Sequence, residues 1–321
     1  MSDPFAKSPA RRGRTLKLYL VDGSPSGVIT AELGISSVRA AVASRTALPD
    51  LIRREEATRT GIYLLVGPDP DLPGRQLVYV GEGDQVRTRL AAHDADEAKD
   101  FFTRAVLIVS KDENLTKAHG RYLESRVIAA IRGAGRAKLV NGTEPPFKGL
   151  PEPEIADMER VLDEIEVLLP VLGFDILRPA GQEAGAATTA PSKALPGNPI
   201  AANIEGPIFT FTESGADAKA QEANGEFVVL AGSLAKRQEV PSCADPLKRR
   251  RAEMIAEGAL EITPDGKFLR FTADTAFDSP SGASRVVYGG NVSGPRYWKH
   301  AATGQTYGDW RKSQIGDGEA A

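Results

Sequence analysis

The first half of the chain is built from short apolar runs broken by turn residues, followed by two long helical stripes. Residues 15–20 (TLKLYL) alternate apolar and polar positions, the period of a half-buried strand. Asp22-Gly23-Ser24-Pro25 has turn composition, and Gly27-Val28-Ile29 offers a returning strand. Residues 61–66 (GIYLLV) and 77–80 (LVYV) read as two more strands, joined by a proline- and aspartate-rich loop over 68–74, so they predict a hairpin. Side chains alternate along a strand, which puts Tyr63 on the face of Leu65 and Tyr79 on the face of Leu77. A helix over 84–92 and a strand over 105–109 come next. Leu123, Val127 and Ile131 fall at i, i+4 and i+8 and give a helix over 115–131, stopping at Gly133, one buried stripe. A further helix over 154–169 ends before Pro170, and residues 174–177 close the unit.

The pattern then stops. Residues 178–203 are dominated by Ala, Gly, Pro and Thr, too few large apolar groups to form a core, and predict a linker. Behind it, 227–230 and 267–271 read as strands. A helix starts at Asp245-Pro246 and stops at Gly258, a second runs from Ser279-Pro280 to Gly289, and Tyr297 to Lys299 with a turn at Thr303-Gly304 suggests a closing hairpin. The expected organisation is a basic tail over 1–14, an α+β domain over 15–177, the linker, and a small α+β domain over 204–316.

With 41% hydrophobic and 26% charged residues in 321, the composition is globular. No apolar run exceeds strand length, and no apolar core follows the basic N-terminal residues. The expectation is a cytoplasmic protein with no membrane association. A single cysteine, Cys243, excludes an intramolecular disulfide and a multi-cysteine zinc site. The net charge of -3 gives no whole-chain basic footprint, although a near-neutral total can contain a basic groove.

The candidate chemistry lies in the hairpin and in the helices C-terminal to it. Gly61-Ile62-Tyr63 is paired with Tyr79-Val80-Gly81. Arg89 lies ten residues after Tyr79, and His93 four after that. Glu124 sits on the long helix, and Asn141 comes after it. This set resembles the GIY-YIG nucleases, over roughly residues 15–177, with Val80 in place of the middle isoleucine. The resemblance implies a three-stranded antiparallel sheet flanked by helices, here with an N-terminal strand extension. It also implies a metal-dependent endonuclease that hydrolyses phosphodiester bonds, with DNA as the expected partner. Tyr63, Tyr79, Arg89, His93 and Asn141 would be the catalytic set, and Glu124 would hold one Mg2+ or Mn2+. The chemistry of the residues agrees. An arginine fork suits phosphate oxygens, and Arg89 and His93 at i, i+4 can face one substrate. Magnesium is commonly bound through one or two carboxylates, its shell filled by water and phosphate. A tyrosine general base needs positive charge nearby, since its unperturbed pKa is about 10. Many members carry a lysine three residues after the second tyrosine; here that residue is Glu82, with Lys111 and Lys117 as candidate replacements.

Each residue also has an ordinary reading. Tyr63 and Tyr79 alone would be half-buried packing residues, Arg89 and Glu124 solvated helix residues, His93 a cap, and Asn141-Gly142 a turn. The order and spacing of all six together favour a site. The seven carboxylates between Glu152 and Glu166 read as a solvated helix face, or as a surface that repels nucleic acid. In the second domain, Lys248, Arg249, Arg250 and Arg251 fall in the first turns of a helix, where a bound phosphate would offset the unfavourable dipole. That domain resembles a small module of unknown function that follows GIY-YIG domains in some bacterial proteins, through residues 226–230 (EFVVL), Phe277-Asp278-Ser279-Pro280-Ser281 and Trp298. The competing readings are a non-cleaving nucleic-acid or protein-binding module on the same fold, and an RNA-directed nuclease.

Overall fold

The computed structural model describes residues 13–69, 72, 75–142, 149–178, 206–223 and 226–316. Nearly all of the expected N-terminal tail, much of the 68–74 loop and nearly all of the linker lie outside them. The protein is α+β. Its first sheet has seven strands in the order β1 (Leu16–Leu20), β2 (Ile29–Leu33), β3 (Val38–Ser44), β6 (Arg104–Ser110), β4 (Gly61–Pro68), β5 (Gln76–Gly83) and β7 (Ala137–Leu139). All neighbours are antiparallel except β5 and β7. The antiparallel trio β6-β4-β5 is thus embedded in a wider sheet, extended by β1 to β3 from the N-terminal side.

Both faces of the sheet's central strands are covered. Ile62, Leu64 and Val66 of β4 pack with Leu123, Val127 and Ile131 of α3 (Lys117–Ala134) and with Ile165 and Leu168 of α4 (Glu152–Val171). Tyr63 and Leu65 point the other way, into a core with Leu48 and Leu51 of α1 (Leu48–Arg53) and Val86 and Leu90 of α2 (Val86–Asp94). A strand covered on both sides reads as continuously apolar rather than alternating, as β4 does. Helix α3 is fixed at both ends. The Thr116 hydroxyl accepts from the His119 amide, and Gly135 closes the helix at φ 67°, a conformation that favours glycine.

The acidic face of α4 is not simply solvated. Glu159 binds the Arg126 guanidinium at 2.7 and 2.8 Å and accepts from the Tyr122 hydroxyl, and Glu154 lies 3.0 Å from His119 Nε2. These contacts tie α4 to α3.

The C-terminal half carries a five-stranded sheet, β14 (Thr275–Phe277), β10 (Glu226–Val229), β9 (Ala218–Ala223), β8 (Ile208–Phe211) and β15 (Lys299–His300). A three-stranded sheet of β11 (Leu234–Lys236), β13 (Phe268–Phe271) and β12 (Leu260–Ile262) lies beside it. Helices α5 (Asp245–Ala256), α6 (Pro280–Tyr288), α7 (Gly294–Tyr297) and α8 (Tyr307–Gly316) complete the unit. Trp298 is its central anchor. The indole is buried among Phe211 and Phe227 and donates to the Pro280 carbonyl at 3.0 Å. Ser279 caps α6 through the Gly282 amide. Asp245 is the first residue of α5 rather than its cap, a position held by Ala244.

No helix among the described residues is long and apolar enough to cross a membrane. Cys243 is a buried free thiol.

Candidate active site

Strand β5 creates the site by losing its neighbour. β7 pairs with it only from Gln76 to Val78, so among the described residues no strand lies beside the outer edge beyond Val78. Asn141, just after β7, fills the first gap. Its amide donates to the Val80 carbonyl at 2.7 Å, and its oxygen accepts from the Val80 amide at 3.0 Å. One donor and one acceptor of the Asn141 side chain thus hold the strand behind Tyr79, so Asn141 supports β5 at the site.

The two motif glycines have steric explanations. Tyr63 and Gly81 are directly opposed across the β4–β5 ladder. The Tyr63 ring lies across Gly81 so closely that a Cβ there would overlap the phenolic oxygen. A Cβ on Gly61 would likewise collide with the Ile108 carbonyl of β6.

Tyr63 is 1% exposed, and its hydroxyl lies 2.8 Å from His93 Nε2 on α2. Tyr79 packs against both, at ring-centroid distances of 6.2 Å to Tyr63 and 5.0 Å to His93. Burial pushes the Tyr63 hydroxyl far above its usual range, reinforced by Tyr79. Burial also raises Tyr79, which is partly exposed, while its hydrogen-bonding interaction with Tyr63 pulls the other way. His93 is pushed down, by burial first and then by the Lys99 charge, so it is a neutral imidazole near pH 7. The direction of the bond follows the imidazole tautomer: with the proton on Nδ1, Tyr63 donates and Nε2 accepts.

Charged groups ring this aromatic cluster. The stem of Arg89 passes Gly83, where a Cβ would sit 3.1 Å from Arg89 Cγ. Arg89 is exposed, forms no ion pair or hydrogen bond among the described residues, and its charge acts on Tyr63, Tyr79, His93 and Glu124. Glu124, on α3, is 9% exposed, and no hydrogen-bond donor or ion-pair partner reaches it among the described residues. Burial, then the neighbouring Glu82, push its carboxyl up to about 7, against the opposing pull of Arg121 and Arg89. Tyr63, Tyr79, Arg89, His93 and Glu124 therefore gather around one sheet edge, with Asn141 behind it.

The positive charge beside Tyr79 comes from a residue that spacing along the chain does not mark. Lys99 Nζ lies over the Tyr79 ring, 3.6 Å from its centroid. Lys111 and Lys117 are elsewhere, paired with Glu32 at 3.3 Å and Asp84 at 2.9 Å. Lys99 carries no local signal, because it reaches the ring from a short 3-10 turn (Glu97–Lys99) between α2 and β6.

The basic run of α5 is divided between surface and interior. Arg251 is 1% exposed and spends its guanidinium on Glu239 at 3.0 Å and on the carbonyls of Val286, Lys236 and Arg237. Lys248 pairs with Asp245 at 3.1 Å, and Arg250 lies 3.8 Å from Glu253. Arg249 is exposed. The run follows the helical period, so its fourth residue turns inward and holds α5 against α6 and β11.

Residues 209–311 match the model of a family described as a domain of unknown function, DUF4357. No curated protein and no solved structure matches the chain. The matched segment coincides with the C-terminal unit, and its last residue, Arg311, touches the first. Arg311, 3% exposed, lies 3.3 Å from Asp94, the residue after His93, and donates to the carbonyls of Arg45 and Thr46. Arg45 holds the other Asp94 oxygen at 3.1 Å and Asp100 at 2.8 Å, and Ser281 of α6 also donates to Asp100.

Proposed function

We propose that this chain is a metal-dependent endonuclease of the GIY-YIG type, hydrolysing phosphodiester bonds in DNA at the open edge of β5. The observation that carries this reading is the Tyr63–His93 hydrogen bond set beside Tyr79, with Arg89 and Glu124 around it, both without a partner among the described residues. A cluster held by packing alone does not call for a mostly buried carboxylate and a neighbouring guanidinium that no protein group pairs among the described residues. A binding site for a phosphate and a cation does.

The residues fit a divalent ion, because Glu124 offers a hard oxygen ligand with no protein partner among the described residues. Bound there, such an ion would relieve charge on the scissile phosphate and its leaving oxygen. The remaining work belongs to the chain. Arg89, exposed and free, clamps the phosphate oxygens. Tyr79, the more accessible phenol, takes the proton of the attacking water as it passes its own to Tyr63. Tyr63 in turn passes its proton to His93 Nε2. This order lets two phenols with raised pKa values serve without ionising, since the proton ends on a neutral imidazole.

The test is the purified full chain incubated with supercoiled, linear and branched DNA and with RNA, in Mg2+ or Mn2+ and in excess EDTA. Metal-dependent nicking that is lost in Glu124→Gln and His93→Asn is expected. Wild-type cleavage by Glu124→Gln, or undiminished cleavage in EDTA, would overturn the assignment. Tight DNA binding without cleavage under every metal condition would make this a binding module instead.

A further inference from the structure

Glu82 stands where the resemblance leads one to expect a lysine, and the fold gives it a surrounding that a lysine would not have. It lies one residue beyond Gly81 on β5, so its side chain faces α3 rather than the tyrosines. A Cβ built on Gly120 would meet Glu82 Cβ at 3.5 Å and Glu82 Oε2 at 3.8 Å. Glu82 therefore rests directly on the Gly120 turn of α3. Glu124 is four residues further along the same helix, on the same face. Helical side chains lean back toward the helix N-terminus, so the Glu124 side chain leans in the direction of that turn.

The two carboxylates are thus neighbours on the Gly120 side of α3, near enough for their charges to act on each other. Glu82 has a side chain only 12% exposed, and its Oε2 is buried with no hydrogen-bond partner. Its other oxygen has only Arg121 Nε, at 3.7 Å, and Arg121 is largely in solvent. Glu124, nine-tenths buried, has no partner at all among the described residues. A shared proton or a cation between its oxygens relieves the repulsion in a pair of this kind. Magnesium and manganese bind through one or two carboxylates and complete their shell with water and phosphate.

We propose that Glu82 and Glu124 together hold one divalent cation over Gly120, with Glu82 as a second carboxylate ligand. The proposal rests on the reading of Glu124 as a cation ligand, and it is tested by binding rather than by cleavage. Gly120 has a matching role. A methyl group there meets Glu82 only at ordinary van der Waals distance, so alanine fits the metal-free fold, but it would intrude on the space between the carboxylates.

The experiment titrates Mn2+ into the full chain, followed by the loss of the free-ion electron paramagnetic resonance signal. Wild type, Glu82→Gln, Glu124→Gln, the double variant and Gly120→Ala are compared, each with its unfolding midpoint in EDTA. One ion per wild-type chain is expected. Each single glutamine variant should weaken binding by at least about tenfold, the lower bound for ligand-shell changes at metal sites, and the double variant should abolish it. The metal-free midpoint of Glu82→Gln should rise, because a repulsive neighbour has been neutralised. That opposite sign separates a ligand from a residue that merely supports the fold. Gly120→Ala should weaken Mn2+ without lowering the metal-free midpoint. If Glu124→Gln loses the ion while Glu82→Gln binds it as wild type does, the two-carboxylate site is wrong and a single-glutamate site stands. If wild type takes up no Mn2+, both readings fall.

Discussion

Without metal, the Glu124 carboxyl should make the protein less stable as pH rises, and the size of the effect comes from its surroundings. Burial and Glu82 raise it from an ordinary 4.5 to about 7. In the unfolded chain it ionises near 4.5, so between the two values the folded state holds a proton that the unfolded state has released. The folded state is then the one that loses as pH climbs. Stability should fall by up to about 1.4 kcal/mol per pH unit across this window. The full penalty, on the order of 3 kcal/mol, is reached above the folded value. Below 4.5 it vanishes, because both states are protonated. Urea unfolding of wild type and Glu124→Gln in EDTA at about pH 5 and about pH 8 isolates this contribution, since every other titrating group is common to both. Glu124→Gln should gain on wild type by about 3 kcal/mol between those pH values. A saturating divalent ion should reverse the trend for wild type alone, because binding an ionised carboxylate releases its proton. Parallel pH profiles for the two proteins in EDTA would refute the buried, unpaired state of Glu124, and with it the electrostatic case for a cation there.

Tyr63→Phe keeps the ring on Gly81 and removes only the hydroxyl, so cleavage in single-turnover assays should fall by roughly 10²-fold with the fold intact; full activity would break the proposed proton path at its middle. Asn141→Ala strips the Val80 amide and carbonyl of their partner and should cost about 1–3 kcal/mol. Faster hydrogen exchange at the Val80 amide would report it, and unchanged exchange would contradict the positioning role. Arg311→Met leaves Glu222 without its nearest cation and Asp94 with Arg45 alone, so a loss of about 3–5 kcal/mol in urea unfolding is expected. Arg249→Gln should stay within about 0.5 kcal/mol of wild type; a comparable loss there would show that exposure is a poor guide in this half.

What could be read from the sequence was what depends on local spacing. The β4–β5 hairpin, the apolar stripe of α3 and the Ser279-to-Gly289 span of α6 are all set by residues within a turn or two of one another. Strand β3 and helix α1 escape such a reading for opposite reasons. Val38–Ser44 is rich in alanine and buried on both faces, so it shows no alternation. Helix α1 has only six residues, with Pro49 in its first turn. Helix α8 is also hard to see, since Tyr307 and Arg311 are its buried residues and no aliphatic stripe marks it. At the site, the residue types were legible but several roles were not. Asn141 looks catalytic in the sequence and spends its amide on Val80 in the fold. Arg251 looks like a phosphate ligand and is a buried strut. Lys99 and the Glu82–Glu124 pair depend on contacts between segments, which spacing along the chain does not encode.

The position of Asp94 gives the C-terminal unit a physical bearing on the site. Helix α2 carries Arg89 and His93 and ends at Asp94, and the chain then turns through Lys99 and Asp100 into β6. Of the groups that fix this turn, Arg45 belongs to the first half, whereas Arg311 and Ser281 belong to the second. Arg311 is itself held by Glu222 at 3.7 Å, and Glu222 accepts from the buried Tyr307 hydroxyl. The imidazole bonded to the Tyr63 hydroxyl and the lysine on the Tyr79 ring therefore both sit on a segment clamped from the far side by α6 and α8. A buried ion network holds its members within a narrow geometry, because each displacement leaves a charge without a partner in a medium that solvates it poorly. The clamp consequently acts on the placement of His93 rather than on its charge, since Asp94 and Arg311 are not among the groups that set the His93 pKa. A variant that loosens it should lower the catalytic rate without changing the pH at which that rate turns over. A variant that altered the electrostatics of the site would move both.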